Sequence, residues 1–266
     1  MTDPAALQKL ITWLSPAFPV GAFAWSAGLE TAIADRRVTD SERLKNWIEG
    51  ALAHGGVRTD AIVLAEAWRV VRGIEFGASP LPTSPTRGEV PAGDWGTFSP
   101  DAPAHTSPLV GEAGRGEAAR TALSDLADLS LALTASRERW METTITGDNY
   151  VLAARHWPTD TLALLPEPCP YPIAVGAIAA AHDIDLLDTL LAWLTATVHG
   201  QISVAVRLVP LGQSDGLRVL AALEPRVAAL AASAATSTLA DLGAIAYAAD
   251  IAQMRHETLE PRIFRS

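Results

Sequence analysis

The sequence predicts an all-α fold, a single helical domain spanning 1–266 and interrupted by one long disordered insertion. Three observations carry that reading. Apolar residues recur at i, i+3, i+4 and i+7 through most of the chain; glycine-turn hairpin signals are scarce; and residues 216–257 are rich in alanine and leucine. With 49% apolar and 19% charged residues, a chain of this length can bury a sizeable core.

The elements follow in order. Leu7, Leu10, Ile11 and Leu14 form one helical stripe, which must end near Ser15-Pro16 because a proline disfavours helical geometry in the residue before it. A loop punctuated by proline and glycine covers 15–21, and a second segment starts near Ser26. Asp40 or Ser41 caps the next helix, with Leu44, Trp47, Ile48 and Leu52 on its buried face. Ala61, Leu64, Ala65 and Trp68 mark another. Leu123, Leu126, Leu129 and Leu133 stripe a helix expected to end around Arg139–Glu142. Residues 198–209 fit a strand through Ile202, Val204, Val206 and Leu208, and fit a helix through Val198, Ile202, Ala205 and Val209. Pro225 is expected to open a new helix at its first turn.

Residues 74–118 break the pattern. They hold seven prolines and seven glycines in 45 positions, above the level that marks low-complexity disorder. Thr83-Ser84-Pro85-Thr86-Arg87-Gly88-Glu89 returns as Thr106-Ser107-Pro108-Leu109-Val110-Gly111-Glu112. Without an apolar period the stretch cannot bury enough surface to offset its ordering entropy, so it reads as a loop inserted between two helices of one domain, with a linker between two domains as the alternative.

Composition excludes several functions. A net charge of −10 repels phosphate backbones, which argues against nucleic-acid binding. The most apolar region, 173–211, is interrupted by His182, Asp183, Asp185, Asp188, His199, Gln201 and Arg207. It therefore lacks the uninterrupted ~20 residues that a bilayer requires, and it reads as core helices near 173–181 and 189–198. A single cysteine, Cys169, and an N-terminus without a basic region before an apolar run suit the cytoplasm.

Catalytic patterns are equally sparse. Lys9 and Lys45, the only lysines, do not follow glycine, so no Walker-type phosphate loop exists. The glycine run 111–116 has the wrong order for a dinucleotide fingerprint. His256-Glu257-Thr258-Leu259-Glu260 begins like a zinc-protease helix but lacks the second imidazole, and a His256/Glu257/Glu260 metal hydrolase is the weakest of three functional readings. Ser26 resembles a nucleophile elbow without its first glycine and reads as a helix cap. No cofactor is expected, and the chain reads as a non-enzyme.

Two dense segments remain. In 15–30 the prolines and Gly21 make a rigid frame for Phe18, Phe23 and Trp25, and pre-ordered rings suit interface anchoring; at least one is expected to plug the core. At the C-terminus, Arg255, His256 and Glu257 precede an arginine- and aromatic-bearing tail with Arg262, Phe264 and Arg265, suited to docking on a partner.

These residues resemble the urease accessory protein UreF family. The likeness lies in Ser15-Pro16 through Leu29-Glu30, in Ser136-Arg137-Glu138 with Gly147, and in Tyr171-Pro172 with Gly176. It continues through 205–213, Asp250-Ile251, Met254-Arg255-His256-Glu257 and Arg262-Ile263-Phe264-Arg265-Ser266. The ordered set is specific where each motif alone is weak. The resemblance implies an all-α homodimer without catalysis of its own. It further implies a scaffold that bridges UreD (also called UreH) and the GTPase UreG on apo-urease for nickel insertion. By the same resemblance, Phe23 and Arg262 belong to the bridging surface, Trp25, Glu30, Arg255, His256, Glu257, Phe264 and Arg265 to the partner-binding set, and the tail orders when UreD binds. The insert lacks a family counterpart, Glu260-Pro261 stands where an aromatic and a serine are commoner, and Trp25 where smaller rings are usual. A regulatory reading stands beside the scaffold: an exposed arginine such as Arg262 acting in trans on phosphate charge during UreG turnover.

Overall fold

The computed structural model describes residues 3–73, 108–243 and 245–266, with side chains from 114 onward in the second stretch. Ten α-helices lie among the described residues, and no strand. They are α1 (Pro4–Trp13), α2 (Leu29–Ala34), α3 (Ser41–His54), α4 (Gly56–Arg72), α5 (Pro108–Ala132), α6 (Arg137–Ala154), α7 (Tyr171–Ala181), α8 (Leu186–Leu208), α9 (Gln213–Ala234) and α10 (Tyr247–His256).

Local chemistry sets most boundaries. Pro4 starts α1, where its missing amide costs nothing. Asp40 accepts from Arg43 N at 2.9 Å and caps α3, as the sequence suggested. Asp185 accepts from the amides of Leu187 and Asp188 and caps α8. That helix carries the ambiguous 198–209 segment as helix to Leu208. Its length and composition would allow a membrane crossing, but Leu190, Trp193, Leu194, Val198 and Ile202 are buried in the protein core.

Three expectations need correction. The 123–133 stripe ends at Ala132 and does not continue to 139–142. Ser136 accepts from Arg139 N at 3.1 Å, so it caps a separate helix, α6. Pro225 opens no helix but lies inside α9. Both Pro225 and Ala221, whose carbonyl loses its amide partner, are exposed, so water can satisfy the orphan. The insertion 74–118 is too long at its C-terminal end: from Pro108 onward the chain is helical, so the glycine run 111–116 sits within α5. Residues 74–107, with the first copy of the repeat, lie outside the described residues.

The core centres on α7, whose residues from Pro172 to Ala180 are all buried, the mark of a helix enclosed on every side. Its neighbours approach at backbone distance. A Cβ on Gly176 would lie 2.2 Å from the Leu64 carbonyl of α4, and one on Gly147 of α6 would lie 1.9 Å from the Cys169 carbonyl. One hydrophobic cluster then runs from Ala6 to Phe264. Arg69, 2% exposed, reaches from α4 to the carbonyls of Ala235 and Ser237 just past the end of α9, each at 2.8 Å, so chain turning out of that helix keeps hydrogen-bond partners. The α1 stripe is split: Leu10 is buried, whereas Leu7 and Ile11 face solvent.

Gly176→Ala should force α4 and α7 apart and lower unfolding stability by about 1–3 kcal/mol, measured by the urea midpoint; an unchanged midpoint would mean that the two backbones do not touch.

Candidate partner-binding site

The C-terminal tail lies against the N-terminal aromatic segment, and Glu30 holds it there. Glu30 is in the first turn of α2, just after Gly28, whose φ of 78° is left-handed. A Cβ on Gly28 would meet Gln253 N at 2.8 Å, so only glycine lets α10 lie this close to α2. The Glu30 carboxylate is 6% exposed. It accepts from Ile263 N at 2.7 Å and Phe264 N at 3.0 Å, and meets His256 Nε2 at 2.9 Å.

His256 is fully buried, and its Nδ1 meets Glu138 Oε2 at 2.7 Å. Both ring nitrogens thus face carboxylate oxygens. Glu138 Oε1 accepts from Arg262 at 2.6 Å, so the two buried carboxylates share one buried imidazole and one half-exposed guanidinium. Beyond them Arg265 N donates to the Ala24 carbonyl at 2.7 Å. Ser26 donates through its amide and hydroxyl to the main-chain oxygen of Ser266, and Ala27 N donates to Ser266 Oγ at 3.2 Å. The N-cap of α2 is Gly28 rather than Ser26, although Ser26 Oγ still accepts from Glu30 N in the first turn at 3.3 Å. Pro261 has no amide to give, but the amides that dock the tail come from residues 263, 264 and 265.

This geometry sorts the sequence-derived set into two groups. Trp25, Glu30, His256 and Phe264 point inward and hold the tail, with Arg265 over the Trp25 ring at 5.8 Å. Phe23, Arg255, Glu257, Arg262 and Arg265 remain at the surface. Phe23 lies under the Arg207 guanidinium at 5.8 Å, Arg255 pairs with Asp35, and Glu257 accepts from Arg137 N at 3.0 Å. Phe18 is the ring that plugs the core, edge-on to Tyr150. Glu138 and Asp35 were absent from the functional set because their partners lie more than a hundred residues away, beyond any local spacing signal. His256, Glu257 and Glu260 do not converge: the imidazole is bound on both sides and Glu257 turns to α6.

A cavity of about 200 Å³ opens beside this site, lined by Trp47, Tyr171, Trp193 and Thr146 together with an Asp60–Arg139–Glu142 cluster. Asp60 contacts Arg139 directly, and Arg139 reaches Glu142 at 2.8 Å. Burial pushes the Asp60 carboxyl up to about 6; the Arg139 guanidinium opposes the rise and Glu142 adds to it. Burial also opposes the Arg139 charge, but the two carboxylates more than offset it. Among the described residues no group of three or more His, Cys, Asp or Glu is placed to hold a metal ion. Burial raises the Cys169 thiol, leaving it a poor nucleophile.

Comparison with known proteins gives one family throughout. The family model described as UreF matches residues 38–224. The urease accessory protein UreF of Agrobacterium fabrum is 42% identical over 262 residues, 98% of this chain and 97% of that protein. Those of Rhizobium etli and Sinorhizobium medicae are 40% and 39% identical, over 98% and 99% of this chain and 96% and 98% of theirs.

Because the Asp60 carboxyl titrates near 6 in the fold against an ordinary 3.8, the folded protein binds this proton more readily. Its contribution to stability therefore rises as pH falls from about 6 toward 4 and is absent above that window. Between pH 7 and pH 5 wild type should gain about 1 kcal/mol relative to Asp60→Asn, read from denaturant unfolding at the two pH values; parallel responses would refute the buried-carboxylate account.

Proposed function

Because the chain belongs to the UreF family of urease accessory proteins, we propose that it is a urease maturation chaperone. In this reading it bridges UreD (UreH) and the GTPase UreG on apo-urease, so that nickel, the cargo, is delivered under GTP control. UreF proteins are accessory proteins, not enzymes, and here the chain itself contributes surfaces. It acts as one helical domain in the cytoplasm, with the low-complexity insertion falling between α4 and α5.

The observation that carries the bridging role is the pose of the tail. Phe264 and Ser266 are buried while Arg262, Ile263 and Arg265 are exposed, Ile263 by 76%. An isoleucine left in water on backbone tied down through the amides of 263, 264 and 265 is pre-organised for a partner and loses little entropy on docking. On α10, Tyr247, Ile251 and Met254 are exposed at i, i+4 and i+7, an apolar stripe that faces solvent among the described residues. Phe23 with Arg207 offers a second anchor. Regulation of UreG turnover by Arg262 is the weaker alternative, since Glu138 already holds that guanidinium at 2.6 Å.

The homodimer is also part of this proposal. A groove of about 690 Å³ between α1 and α8 is lined by Leu7, Ile11, Leu14, Leu191 and Leu220. This apolar concavity supports docking of a second copy, in which the exposed half of the α1 stripe would be buried.

Deleting residues 255–266 should abolish capture of UreD in a pull-down, and Phe23→Ala should weaken complex formation by about 2 kcal/mol, roughly thirtyfold, with an unchanged melting temperature; full capture by the truncated chain would refute the bridging role. Ile11→Glu should convert a dimer into a monomer by light scattering coupled to gel filtration, and a wild-type chain that runs as a monomer at all concentrations would dismiss the homodimer.

A further inference from the structure

Glu138 belongs to no partner-facing segment. It sits in the first turn of α6, where the helix N-terminus favours a negative charge, and it is 8% exposed. Both its oxygens are engaged, Oε2 with the buried His256 at 2.7 Å and Oε1 with Arg262 at 2.6 Å. His256 passes the constraint on to Glu30 at 2.9 Å, and Glu30 receives the amides of Ile263 and Phe264. The start of α6 is itself tied to α10, because Glu257 accepts from Arg137 N at 3.0 Å.

We infer that Glu138 is a positioning residue for partner docking, one that sets the pose of the tail 262–266 from two sides, through His256 on the inside and Arg262 on the outside. The inference rests on the reading above that this tail meets UreD. The physical reason is geometric. A carboxylate that grips a half-exposed guanidinium fixes that side chain in one direction, and the same carboxylate orients the imidazole that completes the Glu30 clamp. Arg262, 45% exposed, is then presented to a partner in a single pose, and Ile263 is turned outward beside it. Glu138 touches no partner in this account; it acts through the groups it holds. A role in stability alone would affect the core and leave partner capture to follow the folded fraction.

The two cases separate in one experiment on the full chain, combining hydrogen exchange at the amides of Ile263 and Phe264 with affinity for purified UreD. Loss of a charge-assisted hydrogen bond predicts for Glu138→Gln about tenfold or more faster exchange at both tail amides, and about tenfold weaker UreD binding. Exchange in α4 and α7 should stay at the wild-type rate. Glu138→Asp keeps the charge, shortens the reach and should give the same pattern at lower amplitude, which serves if the glutamine variant does not fold. Unchanged tail exchange in a folded variant overturns the inference, as does a freed tail that still binds UreD at wild-type affinity. A wild-type chain that binds no UreD overturns the bridging role instead, and the exchange rates alone then decide whether Glu138 holds the tail.

Discussion

A carboxylate buried away from water must be met by donors or it costs several kcal/mol, and Glu30 meets that demand with groups from two parts of the chain. The amides of Ile263 and Phe264 come from the tail, and the imidazole comes from the end of α10. Because these donors lie on α10 and the tail, satisfying the carboxylate and closing the C-terminus onto α2 are one event. The surface pattern of the tail accompanies this: the chain bends at Ile263 and Phe264 to bring both amides to one carboxylate, and Phe264 and Ser266 go in while Ile263 and Arg265 go out.

The clamp works only on a rigid base, and the base comes from glycine. Gly28 admits α10 against α2, while Gly147 and Gly176 admit α6 and α4 against α7. Where backbones meet at such distances, small shifts cannot be absorbed by side-chain rotation. The position of α6, and with it Glu138, is therefore tied to the same core that buries α7, so helix packing at the centre reaches the periphery where Arg262 and Ile263 face solvent.

Much of this was legible before any fold was known. The all-α class, the cap at Asp40, the loop before Ser26 and the choice of an N-terminal aromatic segment and a basic tail as the two surface-bearing segments all rest on local signals. The misreadings had local causes too. Pro225 normally interrupts a helix, but on an exposed face its orphaned carbonyl can turn to water. The leucine stripe of α5 stops at Leu133, with Ser136 and Arg137 at the next stripe positions, and the serine there caps a new helix instead of continuing the old one. The proline-rich insertion shades into helix at Pro108, a residue as fit to start a helix as to prevent one.

What the sequence by itself determined is the helical period, the places where helices begin, and the chemical character of the two segments that offer surfaces, because spacing, capping and residue type act over a few positions. Only the tertiary structure decided which of those residues face out. Trp25, Glu30, His256 and Phe264 look like contact residues on paper, yet folding turns them inward, since a buried charge takes its partners from wherever the chain returns, across hundreds of positions that no local pattern encodes. The same long-range return gives Glu138 its two basic partners and leaves Phe23, Arg262 and Ile263 at the surface.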